Sequence, residues 1–450
     1  MNTSLLHGWL PILIQLLAVV ALVAAIGRRP ARWLRLRMPA ALLVGAASAI
    51  GAFWFIRYHG LADGPPPLPL WVWIALTGVA LAVVVLGWDG VRWWRRVVAL
   101  TAVPLCALCS ALEVNSWTGY LPTVRALWNL STDATLENQV DEATAQAMRR
   151  RGDQLDLGRL VTVRIPNARS GFPHRDELVY LPPSWFTSDP PPALPVVLMI
   201  GGEFGWPADW PSTGGAQRAA DEFAAEHGGN APILVFPDIS GEFTNDTECV
   251  NGPRGNAADH LIKDVVPYVM SHFSAARDPA AWAVAGWSVG GTCAVMTTAM
   301  HPEMFHTFLD IDGQLRPNAG SKEQTIARLF GGDAAAYDRF DPLTVLKTNG
   351  PYSGIAGLFA VSGNGPALHL APHQSGPPTG DPPAAPEAHQ DIATYLCRAA
   401  SNAGMECSVQ PGPGDHKFGT AKRRFAEALP WLAGRLHTPG VPQIALPGAV

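Results

Sequence analysis

The chain has 450 residues, of which 48% are hydrophobic and only 15% charged, with 16 Trp and a formal net charge of −5 at pH 7. That length exceeds one ordinary domain, and the composition is too apolar for an enzyme wholly surrounded by water, so a membrane portion is expected. The mild negative charge, with no basic tract outside the flanks of the apolar segments, argues against nucleic-acid binding.

Four apolar segments come first, at residues 5–26, 39–56, 70–88 and 97–112, each long enough or nearly so to cross a bilayer as a helix. The first lacks a basic leading region and is followed by three more, so it reads as a membrane helix rather than a cleaved signal peptide. Arg28, Arg29, Arg32, Arg35 and Arg37 lie between the first two segments, and Arg92, Arg95 and Arg96 between the last two. The Pro/Gly-rich stretch 58–69 between the second and third carries neither Lys nor Arg after Tyr58. By the positive-inside rule the Arg-rich connections face the cytoplasm, so everything after Trp117 lies outside it. Trp33, Trp71, Trp73, Trp88, Trp93 and Trp94 stand at segment ends, where interfacial aromatic belts form. Glu113 closes the fourth segment as a solvated interfacial acid or a functional membrane acid. The domain reading is a transmembrane unit over 1–116, a polar linker or stalk over 117–158, a catalytic domain over 159–437 and a tail over 438–450. In the stalk, Arg149–Arg151 read as a solvated helix end or a contact for anionic headgroups.

From residue 160 onward, strand-like runs alternate with helical ones. Strands are expected at 160–165, 177–181, 195–200, 232–236, 281–285, 305–311, 357–361 and 406–409, and helices at 216–227, 258–273, 292–300, 391–403 and 425–436. That alternation predicts an α/β fold whose mostly parallel sheet is covered on both faces. Its organising stretch is Gly286-Trp287-Ser288-Val289-Gly290, entered from an apolar strand and left through an apolar helix. Strand, Gly-x-Ser-x-Gly, helix is the nucleophile elbow of the α/β-hydrolase fold, a turn so tight that its flanking positions must be nearly side-chain-free.

The fold orders a triad as Ser, acid, His. Ser288 is the candidate nucleophile, and His416, in the Gly/Pro-rich loop after the last strand, the candidate general base. For the acid, the long loop after the strand at 357–361 holds Asp381, which we favour, and Glu387, with Asp391 at the next helix. Asp310 and Asp312, after the preceding strand, offer the alternative placement that some hydrolases use. The oxyanion hole is expected from the N–H of Val289 and from the turn after residue 200, at Gly202 or Glu203. Trp206, Trp210 and Trp287 line an acyl site or pack in the core.

Several motifs carry a resemblance to a family: Gly286-Trp-Ser-Val-Gly-Gly291 followed by His301-Pro302, Gly202 after an apolar strand, the segment 256–269 ahead of the elbow, Ser362-Gly-Asn-Gly365, and Gly414-Asp-His416 followed by Ala428-Leu-Pro-Trp431. With these, residues 160–437 resemble the esterase family that includes esterase D and the secreted mycolyltransferases. The resemblance implies acyl-ester chemistry, and the Gly-Asn-Gly strand end, counted forward as in the mycolyltransferases, falls near Asp381. It does not cover the apolar bundle. The expected function is a membrane-anchored serine esterase or acyltransferase acting on an ester of a lipid or cell-envelope component. The alternatives are a mycolyl-type transferase to a sugar acceptor and a non-catalytic envelope binding or scaffold protein with a hydrolase fold. Protein partners stay unassigned.

Cys106 and Cys109, in the fourth apolar segment, are expected to be free. The four cysteines of the catalytic half, in an oxidising compartment, allow three pairings. Cys397 with Cys407 and Cys249 with Cys293 is the pairing that staples the last helix to the last strand and anchors the loop before the elbow. No cofactor is expected, and no metal either, because this half has no Cys-x-x-Cys pair and its histidines are scattered in sequence.

Overall fold

The computed structural model describes residues 3–27, 31–59, 66–88, 91–131 and 135–449. The chain divides into two compact units, Met1–Ala134 and Thr135–Val450.

Among its described residues the first unit contains a short helix, Val124–Ser131, and four helices long and apolar enough to cross a membrane, α1 (Trp9–Ile26), α2 (Ala31–His59), α3 (Leu68–Leu86) and α4 (Trp93–Thr118). Their outward faces are apolar: Leu43, Val20 and Val85 are each more than 60% exposed. A patch of that size and kind calls for an apolar surrounding, which points to membrane association. Inside, small residues let backbones approach. Ala18, Ala41 and Ala102 are fully buried, and a Cβ on Gly45 would stand 2.7 Å from the Ala75 carbonyl oxygen.

Cys106 and Cys109 are free and buried there. Glu113, left open between two roles in sequence, accepts a hydrogen bond from Gln15 Nε2 of α1 at 3.0 Å. Helix α2 starts earlier than its apolar run, so Arg32, Arg35 and Arg37 sit on its first turns rather than in a loop. Arg37 donates to the carbonyl of Leu86, the last residue of α3, at 2.6 Å, supplying a partner that helix ends lack. Arg28 and Arg29 lie outside the described residues.

The second unit is an α/β-hydrolase fold. Its twelve strands, in chain order, are β1 (Gln139–Asp141), β2 (Arg159–Val163), β3 (Glu177–Leu181), β4 (Val196–Ile200), β5 (Ile233–Phe236), β6 (Asn251–Gly252), β7 (Gly255–Asn256), β8 (Trp282–Trp287), β9 (Thr307–Ile311), β10 (Ala356–Ser362), β11 (Leu368–Leu370) and β12 (Glu406–Gly412). Strands β6 and β7 form a hairpin of their own. The other ten make one sheet in the order β1-β2-β3-β5-β4-β8-β9-β10-β12-β11. From β5 to β12 along that order every pairing is parallel, while β2, β3 and β5 pair antiparallel and β11 closes the far edge antiparallel to β12. Strands β4, β8 and β9 are buried at every position, as parallel strands sheathed on both faces must be, which is why their sequences read as apolar runs without alternation.

The polar stretch expected as a linker over 117–158 is divided between the two units. Residues 139–141 extend the sheet as β1, parallel to β2, with Gln139 opposite Leu160. The helix Glu142–Arg151 that follows is capped by Asp141, which accepts from Thr144 N–H at 2.7 Å, and buries Ala145 completely. One narrow apolar stripe, with Val140, Met148 and Leu155 against the core, is enough to dock an otherwise polar segment. Arg149 packs over the Trp185 ring at 5.5 Å and lies 3.5 Å from Asp189, so it is engaged within the domain.

The tail over 438–450 is also docked: Thr438 and Leu446 are buried, and Pro447 O accepts from Gln410 Nε2 at 2.9 Å beside β12. Both disulfides form as paired above, Cys249–Cys293 and Cys397–Cys407. The first ties the loop after β5 to the helix Val289–Met300 that leaves the elbow. Three helices between β9 and β10, Lys322–Phe330, Ala334–Asp338 and Pro342–Asn349, were not expected from the sequence.

Candidate active site

Strand β8 runs through Gly286 to Trp287, and the helix opens one residue after Ser288. Ser288 has φ 57° and ψ −122°, a left-side conformation that an L-residue holds only when its surroundings enforce it. Two glycines make room. A Cβ on Gly286 would strike the Gly290 carbonyl, and one on Gly290 would strike the carbonyls of Ile200 and Gly201 at the end of β4. The first turn of the elbow helix therefore lies directly against the turn that follows β4. Ser288 N–H donates to Ile311 O at 2.9 Å, fixing the elbow to β9 as well.

Ser288 Oγ lies 3.0 Å from His416 Nε2. His416 enters from the loop between β12 and the closing helix Phe418–Arg435. Its ring is 5.2 Å from Trp287 and stacks on His389 at 4.5 Å, with 10° between the planes. The surrounding protein, and to a smaller degree His389, hold the His416 imidazole well below its usual range, so at neutral pH it is uncharged and able to accept a proton. For Nε2 to accept, the ring hydrogen must sit on Nδ1. The carboxylate that Nδ1 faces is Asp312, whose Oδ2 is 3.9 Å away, about 1 Å beyond hydrogen-bond length.

Asp312 occupies the first position after β9 with φ 49° and no exposed surface. It accepts from Ser362 N–H at 2.5 Å and from Ser362 Oγ–H at 2.7 Å, at the end of the neighbouring strand β10. Burial raises its pKa, while His389, the two Ser362 hydrogen bonds and Arg424 pull against that rise. Asp310, two residues earlier, is buried too and accepts from Gly313 N–H at 2.7 Å. Burial, with a contribution from Asp312, pushes it up to about 8, so it carries a proton at neutral pH and serves as a buried prop.

Asp381, the acid favoured from the sequence, is exposed in the loop between β11 and the helix His389–Asn402. Among the described residues no hydrogen bond or ion pair joins it to His416, and Glu387 and Asp391 are exposed as well. The Pro/Gly-rich loop leaves Asp381 exposed, whereas Asp312 immediately after β9 is buried against Ser362. His389 and Ser362 were not singled out as site residues from the sequence; the stack and the hydrogen bonds are contacts that no local pattern announces.

Val289 N–H is one of the first-turn donors for which a helix offers no internal acceptor. Gly202 is buried in the turn after β4, where its carbonyl accepts from Gly205 N–H at 3.0 Å. Arg175 steadies that turn. It pairs with Asp238 at 2.7 Å, donates to Gly205 O at 2.8 Å and lies over the Trp206 ring at 4.4 Å. Trp210 is a core residue that donates its Nε1–H to Ile200 O at 2.8 Å, whereas Trp287 packs on His416 and Phe418.

Residues 175–336 match the family described as Putative esterase. The matched residues lie within the second unit and mark an esterase domain there. It is thus a domain of the serine ester hydrolase and acyltransferase class. The chain is 29% identical over 430 residues to an uncharacterized protein of Corynebacterium glutamicum, with 93% of each chain covered, so the similarity includes the apolar helices. Among solved structures, a ferulic acid esterase is 17% identical, covering 62% of this chain and 99% of its own, with a TM-score of 0.47. An S-formylglutathione hydrolase from Agrobacterium tumefaciens is also 17% identical, with coverages of 63% and 98% and a TM-score of 0.47. MPT51 of Mycobacterium tuberculosis is 16% identical, with coverages of 61% and 99% and a TM-score of 0.36.

Proposed function

We propose that the protein is a membrane-anchored serine esterase or acyltransferase whose catalytic unit faces away from the cytoplasm and whose triad is Ser288, His416 and Asp312. The observation that carries the reading is the 3.0 Å approach of His416 Nε2 to the hydroxyl of a serine held at φ 57° on the elbow. His416 takes the Ser288 proton as Oγ bonds to the ester carbonyl carbon. The N–H groups of Val289 and Gly202 stabilise the resulting oxyanion. His416 then returns the proton to the leaving alcohol oxygen as the C–O bond breaks, leaving an acyl-enzyme. Water or an alcohol acceptor releases the acyl group by the same steps in reverse. Asp312 keeps the Nδ1 proton in place and stabilises the imidazolium, for which the 3.9 Å gap must shorten when substrate binds.

The orientation rests on the arginine-rich connections and agrees with two disulfides in the catalytic unit, since such bonds persist outside the cytoplasm. A tethered catalytic unit suits an ester that itself resides in the membrane or cell envelope. The test is labelling of membranes with a fluorophosphonate probe, which reacts with an activated serine. Wild-type protein is expected to label and Ser288→Ala to lose the label. Equal labelling of the two, or no labelling of folded wild type, would contradict the assignment.

A further inference from the structure

Three side chains outside the candidate triad converge in the core of the catalytic unit: His174 before β3, Glu177 at its first residue, and His260 in the helical segment ahead of β8. One potential ligand atom from each lies within 4.8 Å of the others. Glu177 and His260 are fully buried, and the His174 side chain is 6% exposed. His260 opens a π-helical turn, His260–Val265, a distortion often kept at functional sites. That turn brings Asp264 back to His260, with Oδ2 at 3.2 Å from Nδ1. Asp264 is itself held by the N–H groups of Arg169 and Ser170. A carboxylate gripping one imidazole nitrogen fixes the tautomer and turns the lone pair of the other nitrogen outward, as in metal-binding histidines.

Here the other nitrogen, Nε2, points at Glu177 Oε1 at 3.0 Å. Two lone pairs cannot face each other at that distance without a cation. The second Glu177 oxygen, Oε2, is buried and accepts no hydrogen bond, with His174 Nδ1 at 3.9 Å. The His174 and His260 rings stack at 4.3 Å, and His174 donates Nδ1–H to Arg175 O at 2.8 Å, so Nε2 is the nitrogen it has left for a metal ion. The nearby guanidinium does not serve the cluster, because Arg175 is bound to Asp238 through two hydrogen bonds from its side chain. If the cation is a single proton, His260 is an imidazolium and the Glu177–Asp264 pair keeps one uncompensated negative charge in the core, a costly arrangement. A divalent ion between neutral imidazoles balances both carboxylates.

We infer that His174, Glu177 and His260 bind a divalent transition-metal ion of the zinc class, with Asp264 as the carboxylate that orients His260. Two imidazoles and one carboxylate form a borderline donor set that suits zinc and not calcium or magnesium, and three protein ligands leave a fourth position for water. The burial makes the site structural. It joins β3 to the helix ahead of the elbow. It also fixes the residue next to Arg175, whose side chain holds Gly205 and Trp206 in the turn that carries Gly202. No local pattern announces the site, because His260 lies 83 residues from the His174 and Glu177 pair it meets, counted from Glu177.

The test uses the full-length chain in detergent, stripped with a chelator, dialysed against zinc and assayed for bound metal and thermal stability. Wild type is expected to retain about one zinc per chain and to melt at a higher temperature with zinc than without it. His174 is the least buried of the three residues, and His174→Phe keeps the ring stack. It is expected to lose that zinc while Ser288 still labels with the fluorophosphonate probe, which separates loss of the site from loss of the fold. Glu177→Gln should lose zinc as well. Wild type that binds below about one-tenth of an equivalent and shows no zinc-dependent stabilisation would mean that a proton alone fills the site. Undiminished zinc in folded His174→Phe would place the metal elsewhere. Either result overturns the inference.

Discussion

Two regions of the catalytic unit could hold the carboxylate that orients His416, and they differ in every physical respect that matters. The end of β9 with the turn after it, residues 310–314, is short and buried, and both of its acids have fixed donors: Gly313 N–H for Asp310, and the Ser362 N–H and hydroxyl for Asp312. The stretch 371–388 after β11 is long and rich in Pro and Gly, and its acids Asp381 and Glu387 are exposed. An acid that must present one oxygen to an imidazole needs its other contacts settled in advance, and only the first region provides them. Position along the chain offered both regions; hydrogen-bond anchoring separates them.

The contrast can be pressed at several points. The largest stability difference is expected between Gly313→Ala and Gly376→Ala. A Cβ on Gly313 would collide with the Asp310 carboxylate, whereas one on Gly376 meets nothing within 4 Å. The first should cost about 1–3 kcal/mol through overpacking, the second no more than about 0.5 kcal/mol, read as melting temperatures in detergent. Equal melting temperatures would show that the turn after β9 is not tightly packed.

Next in size, Ser362→Ala removes the hydroxyl that donates to Asp312 but keeps the backbone donor. One charge-assisted hydrogen bond is worth about 1.5–3 kcal/mol, so kcat/KM for a short-chain ester should fall on the order of tenfold or somewhat more. An unchanged rate would remove Ser362, and with it much of the case for Asp312, from the site.

A smaller effect is expected in the pH profile. His416 must be neutral to act as base, and its pKa lies below the ordinary 6.5, so activity should survive as pH falls through 6.5. Asp312 must be ionised, and its pKa lies above the ordinary 3.8, so activity should be lost before pH falls that far. The acid limb of kcat/KM is therefore expected to be set by Asp312 and to lie above 3.8. A limb at or below 3.8 would contradict the environment described for Asp312.

What was legible in the sequence follows the range of the interactions. The elbow is a local pattern: strand, small residue, Ser288, small residue, helix. His416 follows from chain order, and the cysteine pairs from which elements needed joining. The buried strands announce themselves as apolar runs because both sheet faces are covered. Hidden from that reading was whatever a distant contact decides. Strand β1 is three residues whose only reason to be a strand is pairing with β2. The choice of Asp312 over Asp381 turns on Ser362, which lies next to Asp312 only because β9 and β10 are paired. His174, Glu177 and His260 meet for the same kind of reason.

The account rests on Ser288 and His416 being completed by the buried acid of the β9 turn, and the most direct test compares Asp312→Asn with Asp381→Asn in one ester-hydrolysis assay. The account predicts that Asp312→Asn lowers kcat/KM by a factor on the order of 10³–10⁴, as expected when the carboxylate that sets the histidine tautomer is replaced by an amide. It predicts that Asp381→Asn stays within about twofold of wild type. A collapse of activity in Asp381→Asn with Asp312→Asn near wild type would contradict it.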